Sequence, residues 1–171
     1  VSLSGVTHWQ FTDCCTDALQ ISIAALTNPN DVVIVPSYGW RAFANAVAFM
    51  DRRVRFCDID KSGNIDLNQL ADMIPMVKPK AVIVVHNFGT VTRVDQIVDL
   101  CEKWGVHIIE DAAPAFYMGE PYSYTPGSLS STACFSFDFT KYPGTLGSGG
   151  AICTNSDEIA ERVYQISAHG R

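Results

Sequence analysis

The chain has 171 residues, 47% hydrophobic and 18% charged, and its 12 Lys and Arg against 18 Asp and Glu give a formal net charge of −6. That composition supports a sizeable core, excludes a disordered chain and lacks the basic surface that nucleic-acid backbones require. No apolar run is long enough to cross a bilayer and nothing reads as a signal peptide.

In chain order, Trp9–Asp13 supplies a first strand, and Thr16–Leu26 then spaces its apolar residues for one helix face. Apolar runs at Val32–Val35, Val54–Cys57, Ala81–Val85 and His107–Ile109 read as strands buried on both faces of a parallel sheet. Helices are expected between them at Ala42–Met50, Leu67–Ile74 and Val94–Trp104, the last closed by Gly105. Thr132–Phe137 and Gly150–Cys153 follow with no helix between them, an arrangement that suits an antiparallel pair, and Asp157–Ala168 is the last helix. The fold expected is α/β: a doubly wound, mostly parallel seven-stranded sheet with helices on both faces.

Six cysteines (Cys14, Cys15, Cys57, Cys101, Cys134 and Cys153) include no C-x-x-C pair, and several sit in apolar runs. Reduced, buried thiols are expected rather than a disulfide framework or a structural zinc site.

Ligands of open parallel sheets bind outside the carboxyl ends of the strands. Thr16, Trp40, His86, Asp111, Ser136 and Lys141 all follow strands and converge on that rim. Thr16 at a helix start suits a phosphate or serves as a plain N-cap. Trp40 suits stacking on a flat ring or belongs to the core. Asp111 either caps the next turn or holds a cationic partner. Lys141 differs from the other four lysines in lying in an aromatic, nearly uncharged stretch, Phe135–Gly144. It reads either as a nucleophilic amine for Schiff-base chemistry or as a solvated lysine on a Gly-rich turn.

Two motifs mislead. Asp58–Asp66 (DIDKSGNID) has the start of a calcium loop, yet Gln69 stands where the bidentate Glu belongs, and a polar strand-to-helix turn explains it better. Gly144–Gly150 (GTLGSGG) precedes a strand instead of opening a helix, so it is no dinucleotide fingerprint. Its glycines let the chain turn tightly behind Lys141.

The stretches CTDAL (15–19), DVVIVPSYGW (31–40), DIDKSGNID (58–66), VHNFG (85–89), GVHIIEDAAPA (105–115), CFSFDFTK (134–141) and GSGGAICTN (147–155), with HG at 169–170, run in the order of a known family. The chain resembles the DegT/DnrJ/EryC1/StrS sugar aminotransferases, pyridoxal 5′-phosphate (PLP) enzymes of fold type I with an aspartate-aminotransferase-like large domain. The resemblance implies that Lys141 binds PLP covalently and moves the proton, and that Asp111 pairs with the ring nitrogen. Ser136 and the Cys15–Thr16–Asp17 turn would hold the phosphate, and Trp40 would stack on the ring. His86 matches a family histidine near the cofactor pocket.

The resemblance also implies amino transfer from an amino acid, glutamate by analogy, to a keto group of a nucleotide-linked deoxysugar, in a cytoplasmic homodimer. Residues 1–171 would be the large cofactor domain, without the small C-terminal domain of the family. Pro114 replaces the family's Gln three residues after the aspartate, which hydrogen-bonds the cofactor's phenolic oxygen, and Cys14-Cys15 replaces the usual Ser-Gly. These departures, with the short chain, favour the alternative of a non-catalytic module serving as partner or regulatory subunit. Lys141 argues against the family's dehydratases, which carry His there. A flavodoxin-like or dehydrogenase domain would give Lys141 no special role.

Overall fold

Hydrophobic alternation along the strands sorts the side chains of one sheet between two helical layers. The computed structural model describes residues 5–90, 92–116 and 124–168. The His-Gly pair at 169–170 lies outside the described residues. In chain order the elements are β1 (His8–Thr12), α1 (Cys15–Leu26), β2 (Val32–Pro36), α2 (Ala42–Phe49), β3 (Arg53–Cys57), α3 (Leu67–Val77), β4 (Ala81–Val85), α4 (Val94–Glu102), β5 (His107–Asp111), β6 (Thr132–Ser136), β7 (Gly150–Thr154) and α5 (Asp157–Ser167).

The sheet order is β1-β7-β6-β5-β4-β2-β3. Ladders β2/β3, β2/β4, β4/β5 and β5/β6 are parallel, whereas β7 runs antiparallel to both β6 and β1. The expected seven-stranded, mostly parallel sheet is therefore present, with a single reversed strand. On one face Val33, Val35, Ile83, Val85 and Ile109 pack with residues of α1, α2 and α5. On the other, Ile34, Val82, Val84 and Ile108 pack with α3 and α4. Strands β2, β4, β6 and β7 are buried along their whole length, which the unbroken apolar runs of β2 and β4 reflect.

One strand departs from expectation. β3 was expected to be buried on both faces, but it lies at the sheet edge with Phe56 59% exposed and Arg53 and Arg55 facing out. Its two arginines blunt the edge against further pairing. Helix boundaries differ modestly: α3 runs past Ile74 through Pro75 to Val77, and α4 stops at Glu102, followed at Gly105 by a left-handed φ of +60°. Among the described residues no helix is long and apolar enough to cross a membrane.

Candidate active site

A cleft of about 410 Å³ opens at the carboxyl ends of β4, β5 and β6, beside the N-terminus of α1. Thr16, Trp40, Asp111, Ser136 and Lys141 all line it, as does Cys15. Asp17 stands in the first turn of α1 and is not among the lining residues.

The end of α1 is held by backbone packing. Cys14 is the N-cap with extended φ and ψ, and its carbonyl accepts from Ala18 N–H at 3.1 Å and from the Thr12 hydroxyl at 2.8 Å. No side chain caps the helix. Its first-turn N–H groups and its dipole suit an anion. Gly150 lies so close that a Cβ there would stand 2.4 Å from the Cys14 carbonyl carbon.

Asp111 ends β5 with 4% of its surface exposed. Its Oδ1 accepts from Ala113 N–H at 3.0 Å and from the Cys15 thiol at 3.9 Å. Burial pushes its carboxyl above the usual range, and the Ala113 N–H and the Lys141 charge offset part of the rise. Burial and the Asp111 charge push the Cys15 thiol well up, which keeps it a donor. No salt bridge among the described residues engages Asp111 or Lys141.

Lys141 sits half-buried on the loop between β6 and β7. The loop folds back through Phe137 N–H to Gly149 O at 2.7 Å, Phe139 N–H to Gly147 O at 3.0 Å and Lys141 N–H to Asp138 O at 2.8 Å. Asp138 in turn accepts from the Thr140 hydroxyl at 2.6 Å and N–H at 3.0 Å, which hold its carboxyl below the ordinary range. A Cβ on Gly144 would come within 2.7 Å of Lys141 O, so this glycine does serve the tight turn behind the lysine. Trp40 projects at the rim with 77% exposure, a cleft residue rather than a core one.

His86 requires a correction, because its ring does not face the cleft. Residues alternate along a strand, so His86 and Glu110 share the α3/α4 face while Val85 and Asp111 share the other. His86 Nε2 lies 2.7 Å from Glu110 Oε2, both side chains fully buried. Its Nδ1 accepts from Thr92 N–H at 3.2 Å, which assigns the proton to Nε2. Glu110 Oε1 accepts from the Tyr124 hydroxyl and Gly127 N–H, each at 2.8 Å, and from Ser130. This network braces the strand ends from behind.

The chain matches the DegT/DnrJ/EryC1/StrS aminotransferase family over residues 2–171. It belongs to that family. Among similar proteins, the UDP-2-acetamido-2-deoxy-3-oxo-D-glucuronate aminotransferase of Pseudomonas aeruginosa is 40% identical over 159 residues, covering 91% of this chain and 44% of the relative. The GDP-perosamine synthase of Caulobacter vibrioides is 34% identical over 169 residues, covering 97% and 44%. The crystal structure of S. venezuelae DesV in complex with a ketimine intermediate superposes with a TM-score of 0.90 at 30% identity, covering 99% of this chain and 46% of that one. That of NtdA from Bacillus subtilis with bound cofactor PMP gives 0.87 at 27%, covering 95% and 36%. This family member thus spans less than half the length of these relatives.

The turn at 58–66 in this family member is built on its own polar side chains. Asp60 accepts from Ser62 and Asn64, and Asp66 caps α3 by accepting from Asn68 and Gln69 N–H, each at 2.9 Å. Gln69, in the twelfth place of the calcium-like motif, accepts from Asp58 N–H. Cys14, Asn87, Asp138 and Thr140 also line the cleft and were given no role from sequence. Period-two alternation was the available signal for Asn87, since it shares a strand parity with Val85 and not with His86.

Proposed function

We propose that this chain is the cofactor-binding large domain of a PLP-dependent aminotransferase that passes an amino group from an amino acid, glutamate by resemblance, to a keto group of a nucleotide-linked sugar. One observation carries the reading: a buried carboxylate with no salt-bridge partner among the described residues, a lysine amine and an open helix N-terminus share one cleft. The donor set fits PLP. Asp111 needs a cation, which a protonated ring nitrogen provides. The first turn of α1 suits its phosphate, and the cleft volume is that of a small-molecule site. The family and the aminotransferase names of similar proteins support the same reading.

PLP, when bound, supplies an aldehyde that condenses with amines and a ring that delocalises carbanion charge. The residues of this chain have separable tasks. Lys141 would anchor the cofactor through Nζ, and the same amine, when free, would take a proton from the donor Cα as general base and return one as general acid. Asp111 holds a proton at the ring nitrogen, because a nearby anion favours the charged form. Ser136 and the backbone of Cys15–Thr16–Asp17 would hold the phosphate, and Trp40 would stack on the ring.

The rest of the reading has its own support. Trp40, Phe88, Phe139, Tyr142 and Leu146 leave an apolar rim exposed, which favours a homodimer. Six unpaired thiols favour a reducing compartment such as the cytoplasm.

Borohydride reduction of the PLP-treated chain, followed by peptide mapping, tests the assignment. The expected label lies on Lys141 and disappears in Lys141→Ala. A label on another lysine, or none, overturns it. Addition of an amino acid to the loaded chain then separates the enzyme from a non-catalytic module, since only the enzyme converts the visible band.

A further inference from the structure

Asn87 lies two residues past the end of β4 and lines the cleft, with 6% of its surface exposed. Its Nδ2 donates to Gly63 O at 2.7 Å, which fixes the orientation of the carboxamide and commits one of its two N–H groups. The second N–H has no partner among the described residues. Its backbone is held separately: Asn87 O accepts from the Thr90 hydroxyl at 2.6 Å, and Thr90 accepts from Asn64 Nδ2 at 3.3 Å. The next residue, Phe88, adopts φ +58°, a left-handed conformation rare for a bulky side chain. Such strain clusters where the surrounding structure fixes a functional group.

The neighbourhood of this amide is specific. Val85, two residues earlier, pairs with Asp111 across β4/β5, and His86 N–H donates to Asp111 O at 3.2 Å. Asn87 therefore leaves its strand beside the one that presents Asp111. Among the residues lining the cleft it is the only side-chain carboxamide, and Pro114, on the Asp111 side, has no N–H to give. PLP carries a phenolic oxygen next to the carbon that reacts with an amine, and that oxygen is negative in the reactive form and needs a donor.

We propose that Asn87 is a cofactor-contact residue whose free carboxamide N–H donates to the phenolic oxygen of PLP. The inference rests on the cofactor reading above. It divides the ring's two polar ends between adjacent strands, with the nitrogen served from β5 and the phenolic oxygen from β4. A hydrogen bond to this oxygen lowers its basicity, so the proton it shares with Lys141 Nζ is released at lower pH than it would be without the bond.

The test is the pH midpoint of the visible band in the PLP-loaded chain, measured for wild type, Asn87→Leu and Thr90→Val. Asn87→Leu should raise the midpoint by about one unit, the scale of one hydrogen bond to a charged group, and weaken PLP binding about tenfold. Thr90→Val loosens the same turn but keeps the carboxamide, so it should lower the melting temperature and leave the midpoint in place. If Asn87→Leu is not recovered folded, the isosteric Asn87→Asp gives the same readout, with a midpoint raised further by its charge. A midpoint in the Asn87 variant equal to wild type, or an equal shift in Thr90→Val, overturns the inference alone. A wild-type chain that develops no visible band overturns the cofactor reading and this inference with it.

Discussion

Two adjacent carboxylates on β5 meet opposite environments. Glu110 is satisfied by His86, Tyr124, Gly127 and Ser130, whereas Asp111 has one backbone N–H and a weak thiol donor. Burial raises the Asp111 carboxyl, and an acid raised by folding stabilises the native state below its unfolded value and loses that contribution as pH rises through the folded one. Above the ordinary Asp range the buried Asp111 carboxyl therefore costs the cofactor-free chain stability. Asp111→Asn keeps the acceptor for Ala113 N–H and removes the charge. It should melt a few degrees higher than wild type at pH 8 without PLP, and the gap should close as pH falls towards about 4, the ordinary Asp value. Melting curves across that range decide, and a variant that melts lower at pH 8 sinks the argument. The same substitution should reduce the stabilisation that bound PLP gives wild type, which is the signature of a site that trades stability for function.

At the scale of elements, the cleft depends on how closely α1 approaches β7. Gly150 pairs with Thr12 on β1 and Ser136 on β6, and a Cβ there would meet Cys14 C and O and Thr12 Oγ1 at 2.4, 2.5 and 2.6 Å. Backbone atoms cannot yield as a flexible side chain does. Gly150→Ala should cost about 2–3 kcal/mol, lower the melting temperature by roughly 5–10 °C and weaken PLP binding as the end of α1 shifts. Gly147→Ala, with nothing within 4 Å, should stay within about 0.5 kcal/mol of wild type. Equal melting curves for the two would count against this account. The same scale explains what sequence could reveal. β2 and β4 were legible because burial on both faces leaves an unbroken apolar run, as in Val32–Val35. β3 reads similarly from Val54, Phe56 and Cys57, but sheet position is set by long-range pairing that a local pattern does not encode. The rim was legible for Asp111, Ser136 and Lys141 because topology brings strand ends together. His86 was placed on the rim without a role, and the structure turns its ring to the α3/α4 face, since one residue along a strand reverses the side chain. The support given by Gly63 to Asn87, 24 positions apart, has no local signature at all.

For the molecule as a whole, a ligand that binds only the folded chain must stabilise all of it. At a PLP concentration about 100 times its dissociation constant the gain is about 2.7 kcal/mol, which for a chain of this size is a rise of roughly 5–11 °C in melting temperature. The rise has separable sources. The N-terminus of α1, Asp111 and Trp40 act without a covalent bond, and Lys141 adds the bond. Pyridoxine 5′-phosphate has no aldehyde and should raise the melting temperature equally in wild type and Lys141→Ala. PLP should raise it more in wild type than in the variant, and the excess measures the covalent contribution. Equal rises with PLP in both proteins would place the reactive amine elsewhere. A rise with neither compound would overturn the cofactor reading of this cleft.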